Sequence, residues 1–178
     1  MTRFMKAGRI LLTQAQIRAR VRQLGKSLTR HYRGKQPVFL GIMNGALFFL
    51  TDLVRVVDLD DIEISTLRLA SYEGTQSTGR IIGLDALADS LKGRHVLIVD
   101  DILDTGQTLS ALVARLKKLG AADVKICVLL EKRGKLKVPV QADWIGFTIA
   151  DHFVIGYGLD YEGKYRALKQ VRVLNPSS

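Results

Sequence analysis

The stretch from residue 95 to residue 130 constrains the fold more than any other part of the chain. His95–Val99 is a short apolar run, a polar segment occupies 100–106, and apolar residues then recur at helical spacing until Gly120. A second apolar run, Val124–Leu130, follows. The order strand, loop, helix, strand is a βαβ unit, whose two strands lie parallel in one sheet. We therefore predict an α/β fold, with a mainly parallel, twisted sheet and helices on both faces.

Other segments extend the same pattern. Thr13 and Gln16 have the spacing of a capping box ahead of a helical apolar period. The further predicted elements are a helix from about Thr13 to His31, a buried strand over Val38–Met43, a helix over 47–56, a strand over Ile62–Ala70, and short strands and loops from Trp144 onward. The chain of 178 residues contains no linker or repeat, so we expect one domain over 1–178.

Composition restricts the cellular setting. Cys127 is the only cysteine, so the chain cannot form an internal disulfide. The first 12 residues lack the apolar core of a signal peptide, and no stretch approaches the ~20 apolar residues of a membrane span. These features predict a cytoplasmic protein without a membrane partner.

The net charge of +10 and the sequence pI of 9.9 raise the question of nucleic-acid binding. The basic residues are poorly clustered, however. Arg18 and Arg22 share a helix face, but no aromatic residues alternate with the densest group, which lies between Lys132 and Lys137. We interpret the charge as a solvated basic surface that also attracts small anionic substrates, and we do not expect a nucleic-acid partner.

Polar residues crowd the segment that follows the first strand of the βαβ unit. Asp100, Asp101 and Asp104 precede Thr105, Gly106, Gln107 and Thr108 at the start of the predicted helix. Amides at a helix N-terminus bind phosphate, and a glycine allows the close approach of a ligand. The carboxylates suit sugar hydroxyls or Mg²⁺ held together with a pyrophosphate. An acidic helix start that only complements the helix dipole is the alternative interpretation.

The whole of Val96–Thr108 resembles the signature with which type I phosphoribosyltransferases bind 5-phosphoribosyl-1-pyrophosphate (PRPP): an apolar strand, two acidic residues, two apolar residues, Asp-Thr-Gly, a polar residue and Thr. The resemblance covers most of the chain from Val38 and is closest to the hypoxanthine-guanine phosphoribosyltransferases. It implies the type I fold with a small hood, formed by the N-terminal segment and about 150–178. It also implies Mg²⁺ dependence and a homo-oligomer, either a dimer or a tetramer.

The activity implied by this resemblance is purine salvage. A phosphoribosyl group passes from PRPP to hypoxanthine or guanine, giving IMP or GMP and pyrophosphate. By the same resemblance Asp104 is the catalytic acid or base at purine N7, and Asp100 and Asp101 bind the ribose hydroxyls and Mg²⁺. The segment Asp104, Thr105, Gly106, Gln107 and Thr108 binds the ribose phosphate.

The remaining roles implied by the resemblance lie outside the signature. They are Lys132 at the purine 6-oxo group, Phe153 stacked on the purine, the Val154 backbone at its edge, Asp160 at Mg²⁺, Arg166 and the loop of Met43, Asn44 and Gly45 at pyrophosphate, and Ser71 and Tyr72 in a mobile lid over 71–79. Asn44 stands where the family often has a lysine. A cis peptide is expected at Met43–Asn44.

A second function remains open from the sequence. Some relatives with a PRPP signature are regulators that bind RNA or DNA, and the basic charge fits such a role. The purine-holding residues Lys132, Phe153 and Asp160 would be superfluous in a pure regulator, so we favour the enzyme.

Overall fold

A computed structural model of the protein describes residues 5–69, 81–82 and 84–176. Its strands are β1 (Met5–Leu12), β2 (Pro37–Met43), β3 (Glu63–Leu69), β4 (Ile81–Ile82), β5 (His95–Leu103), β6 (Asp123–Lys132), β7 (Trp144–Ile149), β8 (Val154–Ile155) and β9 (Val171–Pro176). Its helices are α1 (Gln14–Tyr32), α2 (Leu47–Val54), α3 (Ala88–Leu91) and α4 (Gln107–Lys118). A 3₁₀ turn at Asp85–Leu87 leads into α3.

Within the described residues, six strands form the main sheet in the order β4, β3, β2, β5, β6, β7. All pairings from β3 to β7 along this order are parallel, and only the short β4 joins antiparallel. The predicted mainly parallel sheet is therefore confirmed. No helix in the described part of the chain is long and apolar enough to cross a membrane.

The first helix begins where its capping box predicts. The Thr13 hydroxyl accepts a hydrogen bond from the Gln16 amide at 3.3 Å, and the Gln16 side chain accepts one from the Thr13 amide at 2.9 Å. These bonds satisfy amides that have no partner inside the helix. The apolar positions Ile17, Val21 and Leu24 then face the sheet and are buried. This face holds α1 against the core.

Alternating side chains of the buried strands build two cores, one on each face of the sheet. Phe39 and Leu97 pack on the face covered by α1 and α2. Leu40 and Ile98 pack on the opposite face, against α3 and α4. Full burial of a large apolar side chain contributes about 1.5–3 kcal/mol to stability, so both cores stabilise this arrangement of helices on the two faces of the sheet. Helices on both faces were predicted and are confirmed.

The predicted loop at 100–106 is largely wrong. β5 continues through Leu103, because β6 also runs on beyond its predicted end and offers partners for it. Asp100 lies opposite Val128, and Leu103 lies opposite Glu131. Pairing with a neighbouring strand overrides the low strand propensity of aspartate. Only residues 104–106 form the loop, so the acidic pair stands on a strand rather than in a loop.

The small sheet contains β1, β9 and β8, in that order, and all its pairings are antiparallel. Its strands come from the N-terminal segment and from 154–176, the two segments for which the sequence predicts a hood. Register shifts between Ala7 and Leu12 interrupt the pairing of β1 with β9. Strand β1 was not predicted from the sequence.

Candidate active site

The loop 104–106 and the start of α4 form the predicted phosphate-binding segment. Gly106 precedes the helix with φ +79°, and no side chain among the described residues caps this end. A β-carbon at Gly106 would collide with Val140, so both the backbone angle and the space require glycine. The Thr105 carbonyl accepts a hydrogen bond from the Lys137 amide at 2.9 Å, which anchors the loop. The first amides of α4 are thus free to meet an anion.

Asp100 and Asp101 stand side by side near the end of β5. Asp100 is only 8% exposed, and its Oδ1 accepts a hydrogen bond from the Asp101 amide at 2.9 Å. Burial raises the pKa of Asp100 well above its usual range, and the neighbouring Asp101 charge raises it further. Burial also raises the pKa of Asp101, although the Arg166 charge acts in the opposite direction. Such a pair favours a bound cation.

The predicted pyrophosphate loop lies against this pair. The Met43–Asn44 peptide is cis, as expected. Gly45 follows it, and a β-carbon at Gly45 would overlap the Asp101 carboxylate. On the other side, Gly158 has φ +104°, and a β-carbon there would overlap the Gly45 carbonyl oxygen. Two glycines therefore allow three segments of chain to meet at one point.

Arg166 connects this point to Asp160. Its Nη1 donates to the Gly158 carbonyl at 2.6 Å, and its Nη2 pairs with Asp160 Oδ1 at 2.7 Å. Asp160 Oδ2 accepts a hydrogen bond from the Gly163 amide at 2.8 Å. Both oxygens of Asp160 are thus engaged. Within the described residues, no group of three or more acidic, histidine or cysteine side chains is already arranged to hold a metal, and a magnesium role for Asp160 stays a prediction.

Lys132 and Asp104 meet at the ends of adjacent strands. Lys132 is 8% exposed, and its Nζ lies 2.9 Å from Asp104 Oδ2. Asp104 Oδ1 is also buried but has no hydrogen-bond partner among the described residues. A buried carboxylate oxygen without a partner is costly. The site therefore presents an unfilled acceptor beside a lysine that has donors to spare.

Phe153 and Val154 lie next to each other at the start of β8 but differ in exposure. Phe153 is 53% exposed, and its ring meets the Tyr161 ring edge-on with centroids 5.8 Å apart. An aromatic residue that stays so exposed on a packed scaffold is suited to stacking on a ligand. The Val154 side chain is buried, and its strand β8 lies at the edge of the small sheet.

The structure brings most predicted site residues to one end of the main sheet and to the small sheet beside it. The predicted lid residues Ser71 and Tyr72 lie outside the described residues. Three residues without an assigned role also belong to the site. These are Gly158, Asp151, which pairs with Lys132 at 3.3 Å, and Lys135, which pairs with Asp151 at 2.8 Å. Asp151 and Gly158 fall within the predicted hood of about 150–178, but neither was given a role of its own there.

Comparison with known proteins agrees with this arrangement. Residues 9–162 match the phosphoribosyl transferase domain. The hypoxanthine-guanine phosphoribosyltransferase of Streptococcus pneumoniae is 42% identical over 167 residues, which cover 93% of this chain and 92% of that protein. The chain spans about a quarter of the bifunctional protein TilS/HprT of Listeria monocytogenes, to which it is 38% identical over 169 residues, covering 94% of this chain and 26% of that protein.

A solved structure shows the same fold. The crystal structure of a hypoxanthine phosphoribosyltransferase from Staphylococcus aureus superimposes with a TM-score of 0.87 at 36% sequence identity. The match covers 96% of this chain and 92% of that one. The two-sheet architecture described above is therefore that of this group of structures.

Proposed function

Because the chain belongs to the phosphoribosyltransferase family, we propose that it transfers the 5-phosphoribosyl group of PRPP to hypoxanthine or guanine, giving IMP or GMP and pyrophosphate. The observation that carries this proposal is the hydrogen bonding of the two Asp104 carboxylate oxygens. One of its oxygens binds Lys132 at 2.9 Å, and the other is buried without a partner among the described residues.

This pair is complementary to one edge of a 6-oxopurine. The Lys132 ammonium donates three hydrogen bonds and accepts none, so it can bind a 6-oxo oxygen. The open Asp104 oxygen accepts, so it can bind the proton on the adjacent N7 of the free base. Phe153 supplies a face on which the base can stack, since it is 53% exposed. Adenine carries a 6-amino donor at this position and would offer the Lys132 ammonium no acceptor on the base.

The other half of the reaction requires a site for PRPP. The uncapped N-terminus of α4, with Gly106 at its start, suits the ribose 5-phosphate. Gly45 lies against the Asp101 carboxylate, the Arg166 charge acts on the same carboxylate, and both residues suit the pyrophosphate. In this arrangement N9 of the base attacks the ribose C1 and displaces pyrophosphate. The positive charge passes from the sugar to the purine as the N9–C1 bond forms, and Asp104 takes the N7 proton.

Magnesium fits the acidic pair. Asp100 and Asp101 are two adjacent carboxylates whose pKa values burial raises, so a cation there would offset the cost of ionising both. Magnesium commonly takes only one or two protein carboxylates and completes its shell with water and phosphate oxygens. When bound, it would neutralise charge on the leaving pyrophosphate. Asp160, already engaged with Arg166, would have to leave that partner to take part.

The experiment that tests the proposal is an assay of the purified protein. The chain would be incubated with PRPP, Mg²⁺ and one base at a time, and formation of the nucleoside monophosphate would be followed by absorbance. We expect turnover with hypoxanthine or guanine and none with adenine or with pyrimidines. Absence of turnover with all 6-oxopurines, in protein that is folded and binds PRPP, would contradict it.

A further inference from the structure

Three charged side chains form an alternating row along one edge of the main sheet. Asp104 follows β5, Lys132 ends β6, and Asp151 follows β7, and these three strands are neighbours in the sheet. Lys132 Nζ lies 2.9 Å from Asp104 Oδ2 and 3.3 Å from Asp151 Oδ1. The lysine is thus held between two carboxylates on opposite sides, of which only Asp104 belongs to the proposed catalytic pair.

The number of hydrogen-bond donors on Lys132 explains what Asp151 can contribute to the site. An ammonium group has three N–H donors. Asp104 and Asp151 can take one each, which leaves one for the 6-oxo group of a base. If Asp151 were absent, the buried ammonium would have only Asp104 as a charged partner among these contacts. It would then be drawn toward the second oxygen, Asp104 Oδ1, which the site leaves open.

Asp151 is itself held by a second lysine. Lys135 Nζ lies 2.8 Å from Asp151 Oδ2, so the two oxygens of Asp151 face two different ammonium groups. The hydrogen bond from Lys135 holds the pKa of Asp151 below its usual range, and Lys132 acts in the same direction. Asp151 therefore remains ionised at neutral pH, although Lys135 and Asp151 are partly exposed to solvent.

We infer that Asp151 is a positioning residue of the base site: it holds the Lys132 ammonium away from Asp104 Oδ1, so that the lysine meets the 6-oxo group while Asp104 meets the N7 proton. Lys135 fixes Asp151 in this task. The inference rests on the proposed function and adds two residues to it. The recognised chemistry is that of a base with an acceptor and a neighbouring N–H donor on one edge.

The test compares steady-state kinetics of the wild type, Asp151→Asn and Asp151→Glu, varying hypoxanthine and PRPP separately. In Asp151→Asn we expect KM for hypoxanthine to rise about 10-fold, the order of effect of one hydrogen bond to a charged group. KM for PRPP should stay within about twofold, since the contacts of the phosphate loop do not involve Asp151. The longer carboxylate of Asp151→Glu should restore most of the affinity for the base.

Two further variants separate the row from general effects of charge. Lys135→Gln should raise KM for hypoxanthine in the same direction but less, because Asp151 remains. Lys26→Gln removes the same charge from an exposed side chain of α1 and should leave both KM values unchanged. An Asp151→Asn variant with an unchanged KM for hypoxanthine, or with equal changes in KM for hypoxanthine and PRPP, would overturn this inference but not the proposed function. Lack of turnover in the wild type with both hypoxanthine and guanine would instead overturn the proposed function.

Discussion

The Cα atom of Gly158 packs directly against the carbonyl oxygen of Gly45, so that no side chain fits between them. This contact joins the segment after β8 to the loop after β2, for which we propose pyrophosphate binding. The Arg166 guanidinium donates to the Gly158 carbonyl at 2.6 Å and so depends on the same contact. If these loops bind pyrophosphate as proposed, binding of PRPP requires the correct spacing between them.

Gly158→Ala should impair PRPP binding. The added methyl group would push the two loops apart, and a shift of about 1 Å can cost about 100-fold in rate when it misplaces reacting groups. We expect a rise in KM for PRPP together with a lower kcat in steady-state assays. Gly34→Ala is the matched control. Gly34 also has a positive φ, of +73°, but a β-carbon there would meet no other atom within 4 Å. Both variants should lose stability from the backbone angle, by about 1–2 kcal/mol. Equal kinetics in the two would contradict the role of the contact.

Asp104→Asn should lower kcat far more than it raises KM for PRPP. The amide keeps the size of the side chain but cannot take the N7 proton, and positioned general bases contribute typically about 10²–10⁴ in rate. The measurement is kcat with saturating hypoxanthine and PRPP. Asp89→Asn, at an exposed position of α3, is the control and should behave as the wild type. A folded Asp104→Asn variant with unchanged kcat would refute the assignment.

Asp100→Asn should stabilise the metal-free protein while it impairs catalysis. Burial and the neighbouring Asp101 both raise the pKa of Asp100, so its charge is unfavourable in the folded state without a cation. The amide can still accept the hydrogen bond from the Asp101 amide. We expect Tm in EDTA to rise by about 2–4 °C, the shift that ~1 kcal/mol gives at this chain length. A lower Tm, with the fold retained, would contradict the interpretation of a destabilising acidic pair.

The same pKa shift predicts the sign of a pH effect. A carboxyl group with a raised pKa binds more protons in the folded state than in the unfolded state. Stability from this group is therefore present below the ordinary aspartate range and is lost as pH rises from there toward the raised pKa. In EDTA, the Tm of the wild type should therefore fall more steeply with rising pH than the Tm of Asp100→Asn. Saturating Mg²⁺ and PRPP should remove the difference.

The sequence predicted the start of α1 correctly but not the end of β5. The capping box of Thr13 and Gln16 marks the start of α1, because its two hydrogen bonds lie within four residues of one another. The end of β5 could not be read in this way. Asp100 and Leu103 continue the strand because β6 lies alongside, and that neighbour is set by the topology of the sheet.

The site was predictable to the same extent. The segment from Asp100 to Thr108 is contiguous, so its resemblance to the PRPP signature is enough to predict a phosphate and sugar site. The row of Asp104, Lys132 and Asp151 joins positions far apart in sequence, and it exists because three strands end side by side. The resemblance places Asp151 in the predicted hood, but its residue type gives no role, since an aspartate after a strand is an ordinary turn residue.

Lys132 should determine the choice between 6-oxopurines and adenine. Its ammonium has donors only, so it binds a 6-oxo oxygen and faces a donor when the base is adenine. Because Lys132 is 8% exposed, solvent cannot readily compensate for the mismatch. Sites that hydrogen-bond a particular polar group can reject analogues lacking it by about 10⁴–10⁵.

Lys132→Gln tests this role directly. The glutamine can offer either a donor or an acceptor, so discrimination should narrow, mainly through a loss of kcat/KM on hypoxanthine and guanine. The measurement is kcat/KM for these two bases and for adenine, in the variant and in the wild type. Lys137→Gln changes the charge of the same basic segment at an exposed position and should keep full discrimination. If Lys132→Gln retained the wild-type kcat/KM on hypoxanthine, the selectivity would have to reside in other residues, because the buried lysine would then not contact the 6-oxo group.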